Sequence, residues 1–206
     1  MVYNSIMKYD EKNIIVENVF TEKEVLDLYT IIENPLKKSL QKNLCQSVSD
    51  FNLPKEIRQK VIDYCERISG ESDLEISEYQ FARYKKVVDE SSGETLFPNL
   101  FPHRDSFLEP RFTFDYQIGG NVSWSIIVED KEYLLKNNSA LTFSGTHQIH
   151  WRNQKEFSDT DYLDMIFFHL RKVNSLPYSK EVNEVMEAKS QKYFEVWQGK
   201  TNNVKD

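Results

Sequence analysis

The sequence predicts an α+β fold: a β-barrel-like core flanked by N-terminal helices and a C-terminal helix. Three observations predict it. Apolar residues recur at helical spacing only near the two ends of the chain. Between those ends run many short segments of strand character, broken by turn residues. The 206 residues, 39% hydrophobic and 13% aromatic, provide for one sizeable core. Residues 1–206 are therefore taken as a single domain, with the β core over about 74–172 and the C-terminal helix over about 179–198.

Each element has its own reason. Residues 14–20 (IIVENVF) form an apolar run of strand length. Thr21-Glu22-Lys23-Glu24 then has the form of a capping box, in which Thr21 and Glu24 satisfy each other's free backbone donors. Val25, Leu28, Tyr29 and Ile32 continue at helical spacing, and Pro35 is expected to end that helix. Pro54 suits the first turn of a second helix, which carries Ile57, Val61, Ile62 and Cys65 on one face and stops near Gly70. The period then changes. Residues 74–86 read as a strand with Ile76, Tyr79, Phe81 and Tyr84, and 88–102 as a loop with Ser91-Ser92-Gly93, Pro98 and Pro102. Further strands are expected over 111–118, 122–128, 132–135, 140–144, 148–152 and 162–171. The tail places Val182, Val185, Met186, Tyr193 and Trp197 on one side of a helix.

Composition excludes several classes. The net charge is −7, from 26 basic and 33 acidic residues, and the basic residues do not cluster, so no nucleic-acid partner is expected. A small anion held by one buried Arg remains compatible with that balance. No apolar run approaches the ~20 residues that span a bilayer, so no membrane partner is expected. Residues 1–12 lack the apolar stretch of a secretory signal, and Cys45 and Cys65 are too few for a disulfide framework. A cytoplasmic location is the expectation; the oligomeric state is left open.

The histidines carry the chemistry. His103, His147, His150 and His169 all fall inside the predicted β core. His103 and Asp105 flank Arg104, and positions i and i+2 of an extended strand face the same side. An imidazole and a carboxylate so placed need one more His from a later strand to complete a facial triad of two His and one carboxylate. That is the ligand set of non-haem Fe(II) oxygenases, and it leaves three positions open. On its own the His-x-Asp pair is a weak signal and also describes a solvated pair at a strand end. The second element is ALTFSGTHQIHWR over 140–152. In a regular strand His150 and Arg152 share a face and His147 has the opposite parity.

FPHRDS and ALTFSGTHQIHWR resemble the iron-binding signature of the 2-oxoglutarate/Fe(II)-dependent dioxygenases, in their prolyl-hydroxylase-like branch. FARYKK over 81–86 is similar to the Arg-Tyr strand that precedes the His-x-Asp there. VENVFTEKEVLDLYTII looks like that family's usual first strand and helix. The resemblance spans about residues 13–172. It implies a double-stranded β-helix (jelly-roll, cupin-like) core, Fe(II), 2-oxoglutarate as cosubstrate and O2, with ascorbate in support. It implies His103, Asp105 and His150 as metal and catalytic residues, the match to His-Trp-Arg favouring His150 over His147.

A 2-oxoglutarate site needs a cation for the far carboxylate, usually Arg, whose planar fork binds a carboxylate bidentately. In the branch it resembles, that Arg lies nine or ten positions past the distal His. Residues 158–162 here read SDTDY, with no base, which departs from the pattern. Arg152 is the first candidate for the anchor, with Arg171 and Arg83 as runners-up, and Tyr84 could add a hydroxyl. His169, among apolar neighbours, reads as a core histidine. Trp124 and Tyr133 read as core, Arg111 as a surface pair or a partner of an acidic group, and Glu129-Asp130 as a solvated turn. The loop over 88–100 is long enough to act as a lid.

The resemblance implies an oxygenase that hydroxylates a C–H bond of an amino acid, small metabolite or peptidyl side chain, forming succinate and CO2. Desaturation or ring formation is also open to such an enzyme. Asp105 disfavours halogenation, since related halogenases carry a small residue at the carboxylate position. The alternatives are a cupin-type metalloenzyme that does not use 2-oxoglutarate, and a non-catalytic β-barrel binding module.

Overall fold

A computed structural model of the chain describes residues 13–39, 41–42, 45–49, 51–105 and 108–202. The stretch 1–12, read above for a leader, lies outside the described residues, as does Ser106 of FPHRDS.

The described chain forms three helices and mostly antiparallel strands. In order they are β1 (Ile14–Glu17), α1 (Glu22–Lys38), β2 (Gln41–Lys42), β3 (Cys45–Val48), α2 (Lys55–Ser69), β4 (Leu74–Tyr84), β5 (Val87–Val88) and β6 (Thr95–Leu96). There follow β7 (Leu100–His103), β8 (Phe112–Gly120), β9 (Ile126–Val128), β10 (Lys131–Tyr133), β11 (Ser139–Phe143), β12 (His150–Arg152), β13 (Leu163–Lys172) and α3 (Lys180–Asn202). One sheet runs β1-β11-β8-β13-β4-β3-β2 and a second runs β10-β9-β12-β7, while β5 and β6 form a separate hairpin. No helix among the described residues is long and apolar enough to cross a membrane.

Strand alternation gives the large sheet two different faces. Phe112, Phe114, Tyr116 and Ile118 of β8, with Ile166, Phe168 and Leu170 of β13, join Leu28 and Ile32 of α1 and Ile57, Val61 and Cys65 of α2 in one core. The opposite face sends Ala82, Tyr84, Leu141, Phe143, Leu163 and Met165 against Ile126 and Val128 of the small sheet in a second core. The inward positions of β8 are polar instead: Thr113, Asp115 and Gln117 are all buried. Polar side chains buried between two sheets mark the place where the apolar interior gives way to a site.

The readings at the start of α1 and the end of α2 hold. Thr21 Oγ1 accepts from the Glu24 N–H at 3.3 Å while Thr21 N–H donates to Glu24 Oε2 at 2.6 Å. Gly70 caps α2 at φ 72°, a left-handed conformation that costs a glycine little.

Four expectations need correction. Pro35 does not end α1, which continues to Lys38 because Leu36 is still buried and the Ser39 N–H reaches back to the Pro35 and Leu36 carbonyls. The loop over 88–102 contains the β5–β6 hairpin and β7, and β2 and β3 were not anticipated; all are short, so their periodicity is too brief to read. The strands expected at 122 and 148 begin only at Ile126 and His150. On α3, Met186 is buried but Val185 points outward, so the apolar side is narrower than the spacing suggested.

Candidate metal centre

β7 and β12 pair directly, with His103 opposite His150. In an antiparallel sheet such a pair projects both side chains from one face. The rings lie side by side, their centroids 4.3 Å apart. Asp105 follows two residues after His103 and is tied down by its own N–H, which donates to the Gly145 carbonyl at 2.8 Å. One ligand atom each from His103, Asp105 and His150 lies within 4.8 Å of the others. Two imidazoles and a carboxylate converging so closely could hold a divalent ion.

Hydrogen bonds settle which imidazole nitrogen faces the centre. His103 Nδ1 lies 2.8 Å from the Phe101 carbonyl, and His150 Nδ1 lies 3.1 Å from the Gln148 carbonyl. A carbonyl only accepts, so each Nδ1 carries a proton, which leaves Nε2 as the nitrogen of each ring that can face a metal. His150 Nε2 stands 3.7 Å from Asp105 Oδ1. Burial, reinforced by the neighbouring His103 ring, pulls the His150 pKa down to about 4, so this ring is neutral at pH 7 as a metal ligand must be.

Asp105 is framed by neighbours. Burial by itself would raise its carboxyl, but His150, His169 and His103, together with a 3.2 Å hydrogen bond from the Thr113 hydroxyl, hold it below the ordinary carboxylate value. Its Oδ2 occupies space that a side chain at residue 145 would need: a Cβ on Gly145 would meet that oxygen at 1.9 Å and Thr113 Oγ1 at 2.3 Å. Only glycine lets the backbone come this close.

The three residues line a cavity of about 180 Å³ that also receives Tyr84, Thr113, Asp115, Arg152 and His169. His150 and Arg152 share the inward face, as strand parity predicted, while Trp151 packs outside against Tyr193. The Arg152 guanidinium donates to the Trp124 carbonyl, stacks 5.1 Å from the centre of that indole and approaches Met165 Sδ at 3.9 Å. Among the described residues no carboxylate lies within 4 Å of it. Burial pulls the Arg152 pKa down and that of Tyr84 up, so the Tyr84 hydroxyl stays a donor. Asp115 is a second carboxyl in the same cavity. Burial, with the Asp105 charge nearby, pushes it up to about 8, so at neutral pH it is mostly protonated and adds little negative charge.

The other sequence candidates lie elsewhere. Arg171 does not line this cavity: it is bound to Glu75 at 2.8 Å and Glu109 at 3.0 Å at the far end of β13. Arg83 forms a two-pronged pair with Asp164 on the α1 side of the sheet. Arg111 is paired with Glu109. His147 is buried but turned to Ser144 Oγ at 2.7 Å, outside the three-residue cluster.

Two readings change. His169 is not simply a core histidine, for its Nδ1 stands 3.6 Å from Asp105 Oδ2. Glu129 is not a solvated turn residue: it accepts from the Ile149 N–H, from Lys189 and from Tyr193, tying α3 to the strand that carries His150. Thr113 and Asp115 were missed. Their only signal was a polar alternation inside RFTFDYQI, which also fits a half-exposed strand.

The sequence matches no family model and no curated protein. The fold does have counterparts among solved structures. One is the epimerase SnoN of nogalamycin biosynthesis in complex with Fe3+, α-ketoglutarate and nogalamycin RO, at 12% identity over 85% of this chain and 84% of that one, TM-score 0.63. Another is an oxidoreductase of the 2OG-Fe(II) oxygenase family from Burkholderia pseudomallei, at 11% identity over 85% and 92%, TM-score 0.59. A third is HygX from Streptomyces hygroscopicus with nickel and 2-oxoglutarate bound, at 9% identity over 85% and 88%, TM-score 0.57. The architecture is one these structures share, a jelly-roll arrangement of antiparallel sheets.

Proposed function

We propose that this chain belongs to the 2-oxoglutarate/Fe(II)-dependent dioxygenases and is a hydroxylase of a small molecule or amino-acid side chain. In this reading the two sheets are a double-stranded β-helix, and the whole chain acts as one domain in the cytoplasm. The observation that carries it is the meeting, in one buried cavity, of the His103–Asp105–His150 cluster with Arg152, a guanidinium that lacks a carboxylate partner among the described residues.

The donor set fits the metal. Two imidazole Nε2 atoms and one carboxylate oxygen leave open positions for a chelating cosubstrate. The cavity fits 2-oxoglutarate: Arg152 answers its far carboxylate, the Tyr84 hydroxyl donates a second hydrogen bond, and a protonated Asp115 avoids repelling a dianion. Bound there, iron and 2-oxoglutarate would supply with O2 the oxidising power for C–H hydroxylation, releasing succinate and CO2.

The chain's own residues hold and orient. The Phe101 and Gln148 carbonyls lock the two imidazoles in one tautomer, and Thr113 holds the outer oxygen of Asp105. Trp124 supports Arg152 from its carbonyl and its ring face, so the anchor is preset.

The test is succinate release from 2-oxoglutarate with Fe(II) and ascorbate, with product mass following any candidate substrate. Wild-type protein is expected to turn over, and Asp105→Ala to lose turnover and metal binding while keeping its circular dichroism. Full turnover by Asp105→Ala would remove the triad from the mechanism. Metal binding without 2-oxoglutarate binding would instead indicate a cupin-type enzyme, and neither would indicate a binding module.

A further inference from the structure

Three side chains at one junction have buried polar atoms without a partner. Arg104 sits between two residues of the cluster, with its side chain 11% exposed. Its Nη2 donates to Glu187 Oε2 at 3.3 Å, but its Nε and Nη1 are buried and unpartnered. The Ser190 hydroxyl on α3 and His147 Nε2 are buried without a partner as well. The three segments are held together by the Asp105 N–H bond to the Gly145 carbonyl at 2.8 Å and by Lys189 Nζ on the His147 carbonyl at 3.5 Å. Buried donors in a native protein are nearly always satisfied, so a guanidinium with its Nε and Nη1 donors unused points to something that binds there.

Arg104 and Ser190 also line a cavity of about 290 Å³, together with His103, Phe101, Glu187 and Phe194. His103 borders this cavity and the one that holds the His103–Asp105–His150 cluster, so the two share that residue. Phe101 and Phe194 meet edge to face, 5.9 Å between centroids, and give the cavity an apolar wall. Glu187 is 76% exposed on the rim and is free to turn into water when an anion arrives.

We propose that this second cavity is the substrate subsite and that it takes a carboxylate-bearing small molecule, its anion on Arg104 and Ser190 and its apolar body against Phe101 and Phe194. The inference rests on the oxygenase reading for the word substrate. The chemistry is specific: Arg forms short charge-assisted bonds to a carboxylate, and a neutral amide cannot replace that charge. Arg104 is a binding residue, and its neighbours in the chain serve the metal.

The experiment uses phenylacetate and its neutral counterpart phenylacetamide, followed by NMR titration against the metal-free protein and against protein loaded with Mn(II) and 2-oxoglutarate. Phenylacetate is expected to bind about tenfold or more tightly than the amide. Arg104→Gln and Ser190→Ala should each reduce that preference, the second on an α3 residue outside both sheets. In the Mn(II)-loaded protein the probe's protons should relax faster, placing them beside the metal. Equal affinity for acid and amide, or a preference unchanged in both variants, overturns the anion site. Binding without enhanced relaxation in Mn(II)-loaded protein overturns its role as substrate subsite. Failure of the protein to bind Mn(II) would sink the oxygenase reading instead, and the metal-free titration would still decide whether the anion site exists.

Discussion

Asp105 is the residue on which the centre turns, and its position depends on a glycine forty residues later. Gly145→Ala places a methyl group 1.9 Å from Asp105 Oδ2. The carboxylate must move, so Mn(II) affinity should fall at least about tenfold, with the fold retained by circular dichroism. Unchanged affinity in a titration followed by electron paramagnetic resonance would mean that the carboxylate does not bind metal from this position. Arg152 and Arg171 form a second contrast. Arg152→Ala should raise the 2-oxoglutarate dissociation constant about a hundredfold with little effect on Mn(II), whereas Arg171→Ala should leave both unchanged. The reverse result in calorimetry would move the anchor to Arg171. Both arginines were visible in the sequence, but their partners were not. Arg171 finds Glu75 and Glu109, which are distant in the chain, while Arg152 finds a carbonyl and a ring face.

Elements were legible in proportion to their length and local chemistry. The α1 cap is local and was read correctly, down to the reciprocal Thr21–Glu24 bonds. Thr21→Ala should cost about 1 kcal/mol, measured by urea denaturation; a loss near zero would mean that Glu24 alone satisfies the helix start. Pro35 misled because a missing N–H weakens a helix without deciding where burial stops. Here Leu36 keeps the last turn packed against the sheet. The two-residue strands β2, β5 and β6 exist only because partner strands lie alongside them, and no window of their own sequence contains that information.

The whole molecule stacks α1 and α2 on one face of the large sheet and the small sheet on the other, with the cavity in between. Burial on that scale also sets the response to acid. His147 is held neutral, its pKa drawn down to about 4 by burial and by Lys189 and Arg104. An unfolded chain protonates this ring near its ordinary value of about 6.5. The folded state resists the proton, so its contribution is intact above pH 6.5 and is lost as the pH falls toward 4, by a total of about 3 kcal/mol. His147→Gln removes the titrating group. The stability gap between wild type and variant should therefore move in the variant's favour between pH 6.5 and 4. A gap that stays constant in urea titrations across that range would mean that the ring is not held neutral.

The residues alone determined the mixed helix-and-sheet fold class, the capped helices, the long strands β4, β8 and β13, and the His-x-Asp and His-Trp-Arg pairs, because each rests on spacing within a few positions. Only the tertiary structure decided that His103 and His150 are cross-strand partners, that His147 turns away to Ser144, and that Arg171 is drawn off to Glu75 and Glu109. It also revealed Thr113, Asp115 and His169 around the carboxylate, and the unpartnered groups of Arg104 and Ser190. The reason is physical: periodicity tells which face of an element is buried, but the partner it meets there is set by pairing between segments far apart in the chain.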